Sequence, residues 1–223
     1  MSEFLVREYD MRVHRLAFPQ RSAATLTLVD DEDIPALDAL LAAVNAVDRH
    51  RSGESRVFAP EDDYVGEHRE YILAPFIHKC ASRFSDGSFG ILYASHELDT
   101  AIKEVVSRLT RYYEDGAAPP QETRKEHYTL RIVANDLVEV RASVVPGVDR
   151  RLYEATDYSA SQSFGAHIRL THSAVLYDSV RHSGGVCVGA FVPRICSDVQ
   201  LGDLFDVVWD GARFSELKHV QHL

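Results

Sequence analysis

The stretch Ser82-Arg83-Phe84-Ser85-Asp86-Gly87-Ser88-Phe89-Gly90-Ile91-Leu92-Tyr93-Ala94, followed by Glu97-Leu98-Asp99-Thr100-Ala101-Ile102-Lys103-Glu104-Val105, decides how this chain folds. Residues 85–90 are a turn by their glycine, serine and aspartate chemistry. Ile91, Leu92, Tyr93 and Ala94 form a short apolar run behind that turn, the pattern of a buried strand. From Leu98 the apolar side chains Ala101, Ile102, Val105, Val106, Leu109, Tyr112 and Tyr113 recur at three- and four-residue steps, which predicts an amphipathic helix. Gly116 and the pair Pro119-Pro120 end it.

Working outward, Tyr128, Leu130 and Ile132 alternate with polar neighbours and predict a strand, with another at 137–141. Asp157 or Ser159 caps a helix that carries Ala160, Phe164 and Ile168. Val175-Leu176-Tyr177 and residues 186–192 read as core strands around the loop 178–185. Asp210-Gly211 is a two-residue hairpin signal. Towards the N-terminus, residues 24–29 alternate as a strand does. Asp30-Asp31-Glu32-Asp33 with Pro35 then opens a helix over 34–50, carrying Leu37, Leu40, Leu41, Val44 and Val47. Residues 52–70 are polar and turn-rich, the best candidate for a long loop. The class is α+β, with mixed strands and flanking helices. A strand-and-helix extension over 1–59 and a main domain over 60–223 together make one compact unit.

The 223 residues are 45% apolar and 26% charged, enough for a substantial core without staples. Lys and Arg total 24 against 34 Asp and Glu, a formal charge of −10. Such a chain is a poor general ligand for phosphate backbones, so direct nucleic-acid binding is not expected; a local basic pocket for one phosphate compound is compatible with it. Cys80, Cys187 and Cys196 are odd in number and share no CxxC spacing, which suits a reducing compartment. No apolar run reaches membrane-spanning length. Glu3, Arg7, Glu8, Asp10 and Arg12 interrupt any signal-peptide core. A soluble cytoplasmic protein is expected, with homo-oligomers left open.

Single motifs carry little. The 11 histidines include no HxxxH or HExxH, and neither His78 with Cys80 nor His219 with His222 has a second pair at zinc spacing, so no metal is expected. There is no GxxxxGK[ST] or GxGxxG phosphate loop, and Ser179 does not sit in GxSxG. Glu104 lies at the edge or back of its helix's apolar stripe, where pairing with Arg108 at i, i+4 is the ordinary role. Arg83 alone reads as a surface arginine.

Order and spacing change that reading. The opening stretch, its continuation through Val105, and Val175-Leu176-Tyr177-Asp178-Ser179-Val180-Arg181-His182-Ser183-Gly184-Gly185-Val186-Cys187-Val188-Gly189-Ala190-Phe191 together resemble the RES-domain family, named for its arginine, glutamate and serine. Ala74-Pro75-Phe76-Ile77-His78 and Asp157-Tyr158-Ser159-Ala160-Ser161-Gln162 add to the match, which runs from about residue 60 to 215. The helix at 34–50 resembles the N-terminal extension of longer members. The resemblance places the family's arginine on Arg83, its tyrosine on Tyr93, its glutamate on Glu104 and its serine on Ser179. It implies an ADP-ribosyltransferase-like core with a cleft for NAD, a toxin that consumes NAD as substrate, and an antitoxin partner of the Xre helix-turn-helix type. Phe84-Ser85 stands where many members have tryptophan and asparagine. Ser183 stands where proline commonly precedes the glycine pair.

The residue types suit that chemistry. Breaking the nicotinamide–ribose bond develops positive charge on the sugar, and a fixed carboxylate, Glu104, opposes it. Arg83 offers a planar fork to a phosphate of the dinucleotide, and Arg181 offers a second contact. Tyr93 stacks on the cationic nicotinamide ring. Ser179 bonds a ribose or amide group, and His78 is a structural histidine or a cleft-lining one. Three functions follow as alternatives: NAD glycohydrolase or phosphorylase, transfer of ADP-ribose to a protein side chain, or a non-catalytic nucleotide- or partner-binding domain.

Overall fold

The computed structural model describes residues 4–19 and 59–220. In chain order the elements are β1 (Leu5–Ala17), α1 (Arg69–Ile77), β2 (Ala81–Ser82), β3 (Ser85–Asp86), β4 (Leu92–Ser95), α2 (Leu98–Asp115), β5 (Gln121–Glu139), α3 (Ser159–Ile168), β6 (Ala174–Asp178), β7 (Val186–Ala190), β8 (Cys196–Trp209) and β9 (Phe214–Val220). The mixed sheet with flanking helices is α+β, as the residue patterns imply.

The alternation at Tyr128, Leu130 and Ile132 belongs to one 19-residue strand, β5, which also absorbs most of the strand expected at 137–141. Both edges of β5 are paired. Along one edge β1 runs antiparallel from Leu5↔Glu139 to Ala17↔Glu126. Along the other lie β8, antiparallel, and then β6, parallel at Val138↔Val175 and Glu139↔Leu176. β7 joins β6, β4 joins β7, and β4 meets β1 at His14↔Ser95. Five strands, β5-β1-β4-β7-β6, therefore close a ring, while β8 and β9 continue from β5 as a wing.

Strands buried on both faces are apolar at successive positions. β6 is one of them: Ala174 and Leu176 pack into one core with Val13, Leu130, Ile132 and Val188, while Val175 and Tyr177 pack into a second with Phe84, Cys187 and Ile168. α1 covers the first core with Tyr71, Ile72, Leu73 and Phe76. α3 covers the second, and approaches so closely that a Cβ at Gly165 would lie 2.1 Å from the Phe84 carbonyl oxygen. α2 rests its Ala101 on Leu16 and Phe205.

Two elements escape the sequence patterns. Residues 5–17, assigned to the N-terminal extension, form β1 inside the main sheet. Its charges are ladder partners: Asp10 pairs with Arg131, Arg12 with Asp198, and Arg7 with Glu139. α1 begins at the end of the expected loop 52–70 and is buried round most of its circumference, so it has no polar stripe to give it away. The expected strand at 24–29 and helix at 34–50 lie outside the described residues. The 210–213 hairpin forms as expected, with Gly211 at φ 102°. No described helix is long and apolar enough to cross a membrane.

Lys125 sits opposite Phe205 on the face that meets α2 and is 5% exposed. Burial, then the charges of Arg108 and Arg15, push its amine down to about 7. Its proton affinity is thus lower in the folded than in the unfolded chain, so its contribution to stability improves as pH rises from about 7 towards the ordinary lysine range. Lys125→Met should raise the melting temperature at pH 7 by several degrees, and by less at pH 9. Thermal melts at the two pH values check this; an equal or lower melting temperature at pH 7 contradicts it.

Candidate active site

The site is built from the turn that opens the decisive stretch. Ser85 closes the turn by donating to the Phe89 carbonyl at 2.6 Å and accepting the Gly87 N–H at 3.1 Å. Tyr93, on β4 behind it, holds the near end: its hydroxyl accepts the Phe84 N–H at 3.0 Å and pairs with the Ser82 hydroxyl at 3.0 Å. Burial pushes that phenol up to about 12, so it stays a neutral anchor. Arg83 is thereby fixed between two tethered neighbours. Its guanidinium, 8% exposed, donates to the Leu152 and Glu154 carbonyls at 2.9 and 3.1 Å.

α2 brings Glu104 to the same place. Ser179, in the loop after β6, donates its hydroxyl proton to Glu104 Oε1 at 2.6 Å. The Ser179 Oγ in turn accepts the backbone N–H groups of Arg181 and His182 at 3.1 and 3.0 Å. That loop is pinned to the start of α2, where the His182 Nδ1 and Thr100 Oγ1 lie 2.8 Å apart. Gly185 permits the approach, since a Cβ there would meet Thr100 Oγ1 at 2.7 Å. Cys187 lies below, with its Sγ 3.8 Å from Glu104 Oε1. Burial first, then the charge of Glu104, push its thiol up to about 12, so it is no nucleophile at neutral pH.

Arg83, Tyr93, Glu104 and Arg181 line one cavity of about 360 Å³, and Ser179 reaches it through Glu104. His78 is exposed at the end of α1, away from this cavity. Glu104 and Arg108 do not form the helix pair that their spacing allows. Arg108 instead turns to the Cys80 sulfur at 3.5 Å. Further lining residues include Arg15, Arg108, Arg111 and Tyr158, none of them read from the sequence as part of the site. Arg108 and Arg111 follow Glu104 by four and seven residues, a helical-face signal in the sequence. Arg15 and Tyr158 arrive from distant segments, with no local signal.

The charge of the cavity is opposite to that of the chain. Elsewhere most described arginines meet carboxylates, as Arg124 does Asp206, Arg131 does Asp10 and Arg141 does Glu139. Among the described residues, Arg15, Arg83, Arg108, Arg111 and Arg181 all line the cavity, and none has a carboxylate within ion-pair distance. Their partners are carbonyls, a sulfur and an aromatic ring. Tyr158 feels the result: burial raises its phenol, but the hydrogen bond from Arg181 and the charges of Arg83 and Arg111 outweigh that and leave it below the ordinary value. Glu104 and Asp115 are the acids of the lining, against five arginines. A pocket with this field takes up an anion, and Glu104, held by Ser179, can face developing positive charge. Among the described residues, no three His, Cys, Asp or Glu side chains are grouped to hold a metal ion.

The model of the RES domain matches residues 64–210, which contain Arg83, Tyr93, Glu104 and Ser179. The chain belongs to the RES-domain family. Among solved structures, a chain of the crystal structure of the M. tuberculosis MbcT–MbcA toxin–antitoxin complex is similar, with a TM-score of 0.47 and 13% identity over 91% of this chain and 86% of that one. No curated protein matches. In this RES domain the tyrosine's hydroxyl is already engaged in holding the arginine's turn. Tyr93→Phe should therefore cost about 1–3 kcal/mol by leaving the Phe84 N–H without its acceptor. The melting temperature should fall by roughly 2–4 °C for each kcal/mol. An unchanged melt contradicts that anchoring role.

Proposed function

We propose that this RES domain cleaves NAD at the nicotinamide–ribose bond and acts as the toxin of a toxin–antitoxin pair. The observation that carries the reading is the Glu104 carboxylate, held by the Ser179 hydroxyl within a cavity of arginines that lack acid partners. NAD carries a diphosphate dianion and a cationic nicotinamide on one molecule, which suits that distribution of charge.

In the proposed reaction the bond from the ribose anomeric carbon to the nicotinamide nitrogen breaks. Its electron pair passes to the ring, and nicotinamide leaves neutral. Positive charge grows on the sugar, and Glu104 opposes it. The Ser179 hydrogen bond engages Oε1, leaving Oε2 to accept from a ribose hydroxyl; Ser179 is in this reading a positioning residue. Arg83 and Arg181 hold phosphate oxygens, and the Tyr93 ring lies against the nicotinamide. Water or phosphate then bonds to the anomeric carbon, and the acceptor's proton passes to solvent. The Xre-type antitoxin is carried over from the family resemblance, and cytoplasmic action from the cysteine usage and the charges that interrupt an N-terminal apolar core.

Purified protein incubated with NAD should release nicotinamide, followed by chromatography. Glu104→Gln should lower the rate by about 10²-fold or more. Absence of release by the wild-type chain, or equal release by Glu104→Gln, removes the reading. ADP-ribose appearing on protein rather than in small molecules would move it to the transferase alternative, and NAD binding without product to the non-catalytic one. Expression of the chain alone should arrest growth, and co-expression of the neighbouring gene's product should relieve the arrest.

A further inference from the structure

Segment 152–158 gathers guanidinium groups from three separate parts of the fold. Arg83 comes from the turn before β3, Arg111 from α2 and Arg181 from the loop after β6. Arg111 and Arg181 donate to the same carbonyl, that of Ala155, at 3.0 and 2.6 Å. The Arg83 and Arg111 guanidinium carbons lie 4.8 and 5.4 Å from the centroid of the Tyr158 ring, and Arg181 reaches the Tyr158 hydroxyl at 3.4 Å. Three like charges repel one another. Carbonyl oxygens and one π face hold them together, and a bound dianion would offset the remaining cost. α2 also sets a distance: seven residues separate Glu104 from Arg111, about 10 Å along the helix axis.

We propose that Arg111 and Tyr158 complete, with Arg83 and Arg181, a cradle for a diphosphate bridge. The cradle makes the site select nicotinamide dinucleotides over the mononucleotide and the nucleoside, which carry the same scissile bond. The selection rests on the NAD-cleaving reading: with the nicotinamide ribose at Glu104, the diphosphate lies further along α2, where Arg111 and Tyr158 stand. Tyr158 contributes in two ways. Its ring supports two guanidinium groups, and its hydroxyl ties the third.

Nicotinamide release is measured from NAD, nicotinamide mononucleotide and nicotinamide riboside. Wild-type kcat/KM should favour NAD over the riboside by about 10²-fold or more, given the strength of charge-assisted hydrogen bonds. Arg111→Gln and Tyr158→Ala should each reduce that preference at least tenfold, through KM for NAD. Tyr158→Phe, which keeps the ring, should restore most of it. A merely structural role would lower all three substrates together and leave the preference unchanged, which overturns the proposal, as does equal use of NAD and riboside by the wild type. If no substrate turns over, the NAD-cleaving reading fails by itself, and calorimetric titration with ADP-ribose decides the cradle. Binding at least tenfold weaker in Arg111→Gln and Tyr158→Ala supports it; unchanged binding, or none in the wild type, ends it.

Discussion

One strand, β5, is hydrogen-bonded along both edges, and every part of the site hangs from that constraint. Pairing with β1 on one side and β6 on the other closes the ring. Closure brings β4 back beside β1 and sets the position from which α2 departs. β6 ends at Asp178, so its first loop residue, Ser179, falls opposite the second turn of α2. The Ser179–Glu104 hydrogen bond thus joins residues 75 positions apart without either segment having to bend towards the other.

The energetics of the cavity run against those of the rest of the molecule. The chain is acidic overall, and most of its described arginines meet carboxylates. Five others sit unneutralised around one hollow. Carbonyl oxygens, the Cys80 sulfur and the Tyr158 ring engage their guanidinium groups without cancelling their charge, and among the described residues the Arg15 Nε is left without a partner. The outcome is a field that is strong for an incoming anion and screened little where water is excluded. Stability spent in this way is typical of functional sites and is offset by the two apolar cores.

Much of this was legible in the amino-acid sequence. The helix at 98–115 announced itself by periodicity, and the hairpin at 210–213 by Asp-Gly. Arg83, Tyr93, Glu104 and Ser179 came from the family resemblance, since spacing alone left Glu104 as a surface partner of Arg108. β1 was hidden because many of its outward side chains are charges paired across the sheet, which look like loop charges in the sequence. α1 was hidden because burial on most sides erases amphipathic contrast. Tyr158 and Arg15 could not be found by local reasoning, because only ring closure and the docking of α3 bring them beside Glu104.

The Ser179 hydroxyl makes three hydrogen bonds at once: it accepts two backbone N–H groups of its own loop and gives its proton to Glu104. Loop architecture and the aim of the acid are therefore a single trait. Natural drift cannot adjust one and spare the other, whereas the carboxylate can be exchanged with little disturbance to the loop. A descendant that kept the shape and lost the chemistry would lose it at position 104 and retain its serine.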